Sequence, residues 1–313
     1  RPDLYVANDF EGADFFLKNT PQGAMENTVE SAFPHITWFS MGADSADLDG
    51  DGDLDLAVAN YKGKSVSILF GDGSGGFSVS QTLSIGNLPL YISAADIDND
   101  SDLELIMVDY KKVIYILKNG GVTFGELGSI SMSGNPGGRA AVGDFDDDGN
   151  IDFAISDQSN DSVGVYLGNG NGTFSDPSSI DVGDTPRDIQ AADFDGDGLL
   201  DLAVAIQGDN SLTTLLGDGT GGFPTSVTFS LGGGPVGLSS YDYDADGDMD
   251  LFAALPEVDE VAVLENVTGD RDENGNLYDV KMNGIGYKPL SQHIQNMDMK
   301  LIVIDLSLIH ISE

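Results

Sequence analysis

Short apolar runs alternate with clusters of Gly, Asn, Asp and Ser along most of the chain, and the same order of runs returns several times. LAVAN, LIMVD, FAIS, LAVAI and LFAAL are each followed, after a few turn residues, by SVSILF, VIYIL, SVGVYL, LTTLL and EVAVL. Runs this short, bounded by turn formers, read as strands joined by hairpins. Upstream of four of these pairs stands a proline, Pro89, Pro136, Pro186 or Pro235, and then another apolar stretch such as LYISAAD or RDIQAAD. Three repeats continue into a glycine-rich turn that closes on an aromatic residue, at Phe77, Phe174 and Phe223. The pattern predicts about four strands in each repeat.

Each repeat carries one acidic string: DLDGDGDLD, DIDNDSDLE, DFDDDGNID, DFDGDGLLD and DYDADGDMD. Their first residues, Asp47, Asp96, Asp144, Asp193 and Asp242, lie 49, 48, 49 and 49 positions apart. A supersecondary unit that recurs at a fixed period signals a repeat architecture, and four antiparallel strands per unit make one blade of a β-propeller. The expected fold is therefore all-β, with blades at about 34–85, 86–133, 134–183, 184–232 and 233–282. DLYVAN and DFFLKN near the start repeat the strands after an acidic string, so residues 1–33 are expected to form a partial blade, and about six blades are present in all. The segment 283–313 departs from the pattern, and its end, LSLIHISE, resembles a cloning or sequencing-adapter scar.

The spacing of acids in the string is that of an oxygen-only metal loop. Carboxylates at positions 1, 3, 5 and 9 face one side of a tight turn, a glycine at position 6 relieves the bend, and position 7 adds a backbone carbonyl. The candidate ligands are Asp47, Asp49, Asp51, Asp53 and Asp55 in the first loop, and Asp96, Asp98, Asp100, Asp102 and Glu104 in the second. The third offers Asp144, Asp146, Asp148, Asn150 and Asp152, and the fourth Asp193, Asp195, Asp197, Leu199 through its carbonyl, and Asp201. The fifth offers Asp242, Asp244, Asp246, Asp248 and Asp250. A hard shell of several carboxylates suits Ca2+, whose six to eight oxygen ligands tolerate an irregular cage. An EF-hand would need Glu at position 12, where Val58, Met107, Ile155, Val204 and Ala253 stand, and a helix after it. Four to five calcium ions with a structural role are expected, since carboxylates crowded this closely repel one another without a counterion. Ser101 in place of glycine and Glu104 in place of Asp set the second loop apart, as Leu199 and Leu200 do the fourth.

Composition agrees with this and narrows the partners. The 313 residues carry 53 Asp and Glu against 13 Lys and Arg, a formal net charge of -40. Such a surface argues against nucleic acid and anionic membrane as partners, because both require positive charge to displace counterions. There is no cysteine, hence neither a disulfide framework nor a thiolate metal site, and no apolar span long enough for membrane insertion. Oligomeric state is not readable. His35, beside Trp38, and His293 and His310 near the end are the only histidines.

The strings and their spacing resemble the FG-GAP and VCBS repeat families, whose loop is D-x-D-x-D-G-x-x-D. SMGADSADLDGDGDLDLAVAN, with VANDFEGADFFLKN before it, is similar to repeats of cartilage-acidic-protein-like extracellular proteins. The resemblance covers about Asp3 to Asn266 and implies a propeller, commonly seven-bladed, of the kind found in the head of integrin alpha subunits, with calcium in the loops. The Phe-Gly and Gly-Ala-Pro signatures themselves are missing and no integrin-type leg follows, so an integrin receptor is not implied. The expected location is extracellular, cell-surface or periplasmic, and the expected function is adhesion or binding of a protein or glycan ligand, without enzymatic activity. The alternative is a propeller lectin or a fragment of a carbohydrate-active enzyme, which sugar binding with or without turnover would distinguish.

Overall fold

The computed structural model describes residues 4–6, 15–19, 25–27, 40–243, 245–266, 290–294 and 297–305. All regular structure among them is β-strand. Leu4–Val6 (β1), Phe15–Asn19 (β2) and Met25–Asn27 (β3) pair antiparallel in sequence order. Ser40–Ala46 (β4), Asp55–Asn60 (β5), Ser65–Gly71 (β6) and Phe77–Ser84 (β7) form the next sheet. Pro89–Ala95 (β8), Glu104–Asp109 (β9), Val113–Asn119 (β10) and Phe124–Ser131 (β11) form another. Ala141–Gly143 (β12), Asp152–Asp157 (β13), Ser162–Tyr166 (β14) and Ser178–Asp181 (β15) follow. So do Pro186–Ala192 (β16), Asp201–Ile206 (β17), Ser211–Leu216 (β18) and Thr225–Ser230 (β19).

These four-stranded antiparallel meanders are propeller blades, as the repeat predicts. The last sheet begins in the same way with Gly237–Tyr241 (β20), Asp250–Leu255 (β21) and Glu260–Asn266 (β22). Its outer strands come from the atypical segment 283–313: Met297–Asp305 (β24) pairs with β22 where the other sheets place their fourth strand, and Leu290–Ile294 (β23) pairs with β24. Residues His35, Trp38, Asp244 and 306–313 lie outside the described residues.

The second strand of each sheet explains the continuous apolar runs. Every residue of β5, β9, β13 and β17 is buried, whereas β7, β11 and β15 are mostly exposed. A strand covered on both faces loses the in-out alternation that a half-exposed strand shows.

By internal packing the chain divides into two units, 1–142 with 168–175, and 143–167 with 176–313. In the first, Leu48, Ala57, Val66 and Ile68 pack with Ile92, Leu105, Met107, Leu117 and Phe124 of the next sheet. Gly42 permits this approach, because a Cβ there would sit 2.7 Å from the Leu90 carbonyl oxygen. In the second, Phe194, Ala203, Ala205 and Leu212 share a core with Leu238, Leu251, Ala253 and Leu264.

Each acidic string connects the first strand of its sheet to the second, so that position 9 is the first residue of the second strand. The turn needs a left-handed backbone at two places. Position 6 has φ of 91°, 75°, 87°, 91° and 102° at Gly52, Ser101, Gly149, Gly198 and Gly247, and position 4 has φ between 56° and 77° at Gly50, Asn99, Asp147, Gly196 and Ala245. Glycine adopts that region without steric cost, while a β-carbon there costs roughly 1–2 kcal/mol. Ser101→Gly should therefore raise stability by about 1 kcal/mol, and Gly52→Ala should lower it by a similar amount, as read from urea denaturation in EDTA.

Candidate metal centre

The loop is built by its own carboxylates before any ion is considered. The acid at position 1 accepts backbone N–H bonds from the bend. Asp47 takes them from Gly50 and Gly52 (2.8 and 3.0 Å), Asp96 from Asp100 and Ser101, Asp144 from Asp148 and Gly149, Asp193 from Gly196 and Gly198, and Asp242 from Asp246 and Gly247. Position 5 then accepts from position 7: Asp51 from Asp53, Asp100 from Asp102, Asp148 from Asn150, Asp197 from Leu199 and Asp246 from Asp248. With those N–H groups turned inward to carboxylates, the chain winds round a small acidic space.

Position 9 has a second role that the spacing does not announce. Asp55, Glu104, Asp152, Asp201 and Asp250 are almost completely buried. One oxygen of each accepts the N–H of position 2, from Leu48, Ile97, Phe145, Phe194 and Tyr243 at 2.7–3.2 Å. The other oxygen accepts an N–H at the end of the third strand: Gly71 for Asp55, Asn119 for Glu104, Gly217 for Asp201 and Asn266 for Asp250. A single carboxylate thus ties the loop, the second strand and the third strand together.

The residue at position 2 links the loop to its neighbour. Its side chain enters the core, and its carbonyl accepts a bond from the following repeat: Leu48 from the Asn119 side chain, Ile97 from Gly172 N–H, Phe145 from Gly221 N–H, and Phe194 from the Asn266 side chain.

The predicted acids converge in four of the five loops. Asp47, Asp49 and Asp55 bring oxygens within 4.8 Å of one another, as do Asp96, Asp98, Asp100 and Glu104; Asp144, Asp146 and Asp152; and Asp193, Asp195 and Asp197. These clusters could hold metal ions. The fifth loop includes Asp244, outside the described residues. Asp51, Asp53, Asp102 and Asp148 lie on the same turns outside those groups of acids, Asn150 and Leu199 stand at position 7 of the third and fourth turns, and Asp201 is held at the brace.

The electrostatics favour a cation. Burial pushes the Asp55 carboxyl above its ordinary range, and pushes Asp201 up to about 6, with Asp195 and Asp193 adding repulsion. Burial first and then Asp148 and Asp144 raise Asp146, and burial and Asp197 raise Asp195. Asp146 also has a buried oxygen, Oδ1, without a hydrogen-bond partner. A buried carboxylate oxygen left in that state is costly unless a cation meets it, so the oxygen-only donor set of the third loop fits a hard divalent ion.

The second loop differs. Lys118, on β10, brings its ammonium against Asp98, 2.6 Å from Asp100 Oδ2 and 3.6 Å from Glu104 Oε1. The hydrogen bond from Lys118 holds Asp100 below the usual carboxylate range, while burial and Asp98 raise Glu104. Sequence reasoning confined to the nine-residue strings misses Lys118. The signal lies one strand later, where Phe70, Leu167, Leu216 and Glu265 occupy the matching positions of the other repeats.

A model of the FG-GAP-like repeat matches residues 1–58, 47–107, 144–204 and 193–253, more than half of the chain, and each later match spans two acidic loops. No curated protein matches by sequence. Among solved structures, the chain is similar to a Lactobacillus plantarum protein at 14% identity and a TM-score of 0.62, covering 88% of this chain and 80% of that one. It is also similar to a Bacteroides fragilis protein proposed to be a 6-phosphogluconolactonase (17%, TM-score 0.59, 88% and 79% covered). A third is BBS1N, solved in complex with ARL6DN (16%, TM-score 0.55, 80% and 72% covered). At these identities the likeness is one of fold.

Two outcomes separate the brace from the cage. In EDTA, Asp55→Asn should cost about 1–3 kcal/mol, because its amide turns a donor toward a buried N–H, whereas Asp49→Asn should stay within about 0.5 kcal/mol. The metal-free protein should also melt higher as pH falls from 7 toward 4. A carboxyl whose folded pKa is raised, as that of Asp201 is to about 6, contributes stability below its unfolded value of 3.8 and loses it as pH rises through 6.

Proposed function

Because the chain belongs to the FG-GAP-like repeat family, we propose that it is a calcium-binding extracellular repeat module that binds a protein or glycan ligand and performs no catalysis. The observation that carries the calcium assignment is the return of the same carboxylate cluster at the same turn of successive sheets. Asp47, Asp49 and Asp55 would hold an ion in the first loop, Asp144, Asp146 and Asp152 in the third, and Asp193, Asp195 and Asp197 in the fourth. Asp242, Asp246, Asp248 and Asp250 with Asp244 would do so in the fifth by the same spacing. Carbonyl oxygens at position 7, that of Leu199 included, would complete the shell. Calcium, rather than magnesium, suits an irregular all-oxygen cage. Its role is structural: it neutralises acids that the brace forces together.

Family membership supports an extracellular or periplasmic setting, and no helix among the described residues is long and apolar enough to cross a membrane. Ligand binding is supported at the opposite end of the sheets from the acidic loops. There the β5–β6 and β9–β10 hairpins bring Tyr61 and Tyr110 edge to face at 6.4 Å, with Tyr110 exposed. Lys62, Lys64, Lys111 and Lys112 lie on the same two turns, four of only 13 basic residues in the chain. Aromatic and basic side chains concentrated on one rim of an acidic molecule form a recognition surface distinct from its metal loops.

Calorimetric titration of EDTA-stripped protein with calcium, with melting followed in parallel, tests the assignment. One ion per metal-competent loop is expected, with each site adding about 2.7 kcal/mol at a hundredfold excess over its Kd. Absence of both heat and thermal stabilisation would rule it out.

A further inference from the structure

We propose that the second acidic loop holds no calcium, because the Lys118 ammonium is its resident cation. The contrast rests on the calcium assignment for the other loops, but the occupancy of this one follows from its own geometry.

Asp96, Asp98, Asp100 and Glu104 make the largest of the carboxylate groups among the described residues, four acids whose oxygens lie within 4.8 Å of one another. Lys118 reaches three of them: it donates to Asp98 Oδ2, donates to Asp100 Oδ2 at 2.6 Å and lies 3.6 Å from Glu104 Oε1. Those are positions 3, 5 and 9, the acids that a divalent ion in the loop would need. An ammonium at hydrogen-bonding distance and a calcium ion at about 2.3–2.6 Å from the same oxygens would occupy one space and repel each other. The donor set therefore does not fit a metal while Lys118 is in place.

The position of Lys118 makes the arrangement a built one. Asn119, the next residue, gives its N–H to Glu104 and its side-chain amide to the carbonyls of Leu48 and Leu103. The backbone of Lys118 is thus fixed at the rim of the loop, and its side chain is one-third exposed. In the other repeats the matching residues are Phe70, Leu167 and Leu216, which are uncharged, and Glu265, which is of opposite charge. The two departures inside the string occur in this same repeat. Glu104 is longer than Asp by one methylene, and Ser101 replaces the glycine of position 6. Asp98 Oδ1, like Asp146 Oδ1 at the same position of the third loop, is buried without a hydrogen bond, but only in the second loop does an ammonium already meet the other oxygen of that carboxylate.

The test uses the full chain, stripped with EDTA, and calcium alone as the probe. Asp49→Asn with Asp51→Asn should remove one equivalent of bound calcium, whereas Asp98→Asn with Asp100→Asn should remove none. Lys118→Met, which keeps the length of the side chain and removes its charge, should add one equivalent. In EDTA the same variant should melt roughly 3–6 °C below the parent, and calcium should restore it. Loss of one equivalent on changing Asp98 and Asp100 would overturn the proposal, as would Lys118→Met melting like the parent in EDTA. If no loop takes up calcium, the functional assignment above fails, and the EDTA melt of Lys118→Met still decides the role of the ammonium.

Discussion

The structure depends on a buried carboxylate. At Asp55, Glu104, Asp201 and Asp250, each the first residue of a second strand, an acid is enclosed with both oxygens accepting backbone N–H bonds, one from the loop before it and one from the end of the third strand. No apolar residue can replace it without leaving two buried donors unsatisfied, and the cost of such a group exceeds the worth of an ordinary hydrogen bond. Burial raises the energy of the charged form while the N–H bonds lower it, and for Asp55 and Asp201 burial is the larger effect. The brace is therefore under electrostatic load before the remaining acids of the loop are counted. A cation placed among them would relieve that load, so the turn that braces the blade is also the one whose acids could hold a metal ion.

The brace also sets how one sheet meets the next, and the sequence offers two solutions. Where the third strand ends in glycine, as at Gly71 and Gly217, the backbone closes directly on the loop, and a Cβ would come within 2.3 Å of the carbonyl oxygen of Leu54 or Leu200. Where it ends in Asn119 or Asn266, the amide spans the gap and bonds both the carbonyl of its own loop and that of the preceding one. In the glycine case the N–H from the turn that follows makes the inter-repeat bond instead, as Gly221 does to Phe145. The repeats with asparagine have no Gly-x-Gly turn leading to Phe, so a difference that looks like decay of the motif is an exchange of one donor for another.

This explains what could be read from sequence and what could not. Strands and period were legible because turn residues and buried second strands recur at nearly constant spacing, and the acids at positions 1, 3, 5 and 9 because they fall within nine residues. The left-handed backbone at position 4 was hidden, since Gly50, Asn99, Asp147, Gly196 and Ala245 share no side-chain type. The second duty of position 9 depends on donors such as Gly71, 16 residues from Asp55, and only strand pairing brings them together. Lys118 was hidden for the same reason, being 18 residues from Asp100. The strands of 283–313 were concealed by their unlike composition, because pairing to β22 is a backbone matter that tolerates it.

On the proposed assignment, a chain with a net charge of -40 neutralises its loop acids by two means. A divalent ion binds tightly but exchanges with solvent, so stability of that kind follows the calcium concentration around the protein. An ammonium tethered to a strand is weaker as a charge but is always present. Within the first unit the loop that carries Lys118 and the loop of Asp47, Asp49 and Asp55, for which we propose calcium, lie in consecutive repeats joined through the bond from Asn119 to Leu48. Removal of calcium would then leave part of the unit braced while its neighbour is loaded with unpaired charge, and unfolding would begin at the first loop rather than spread evenly over both.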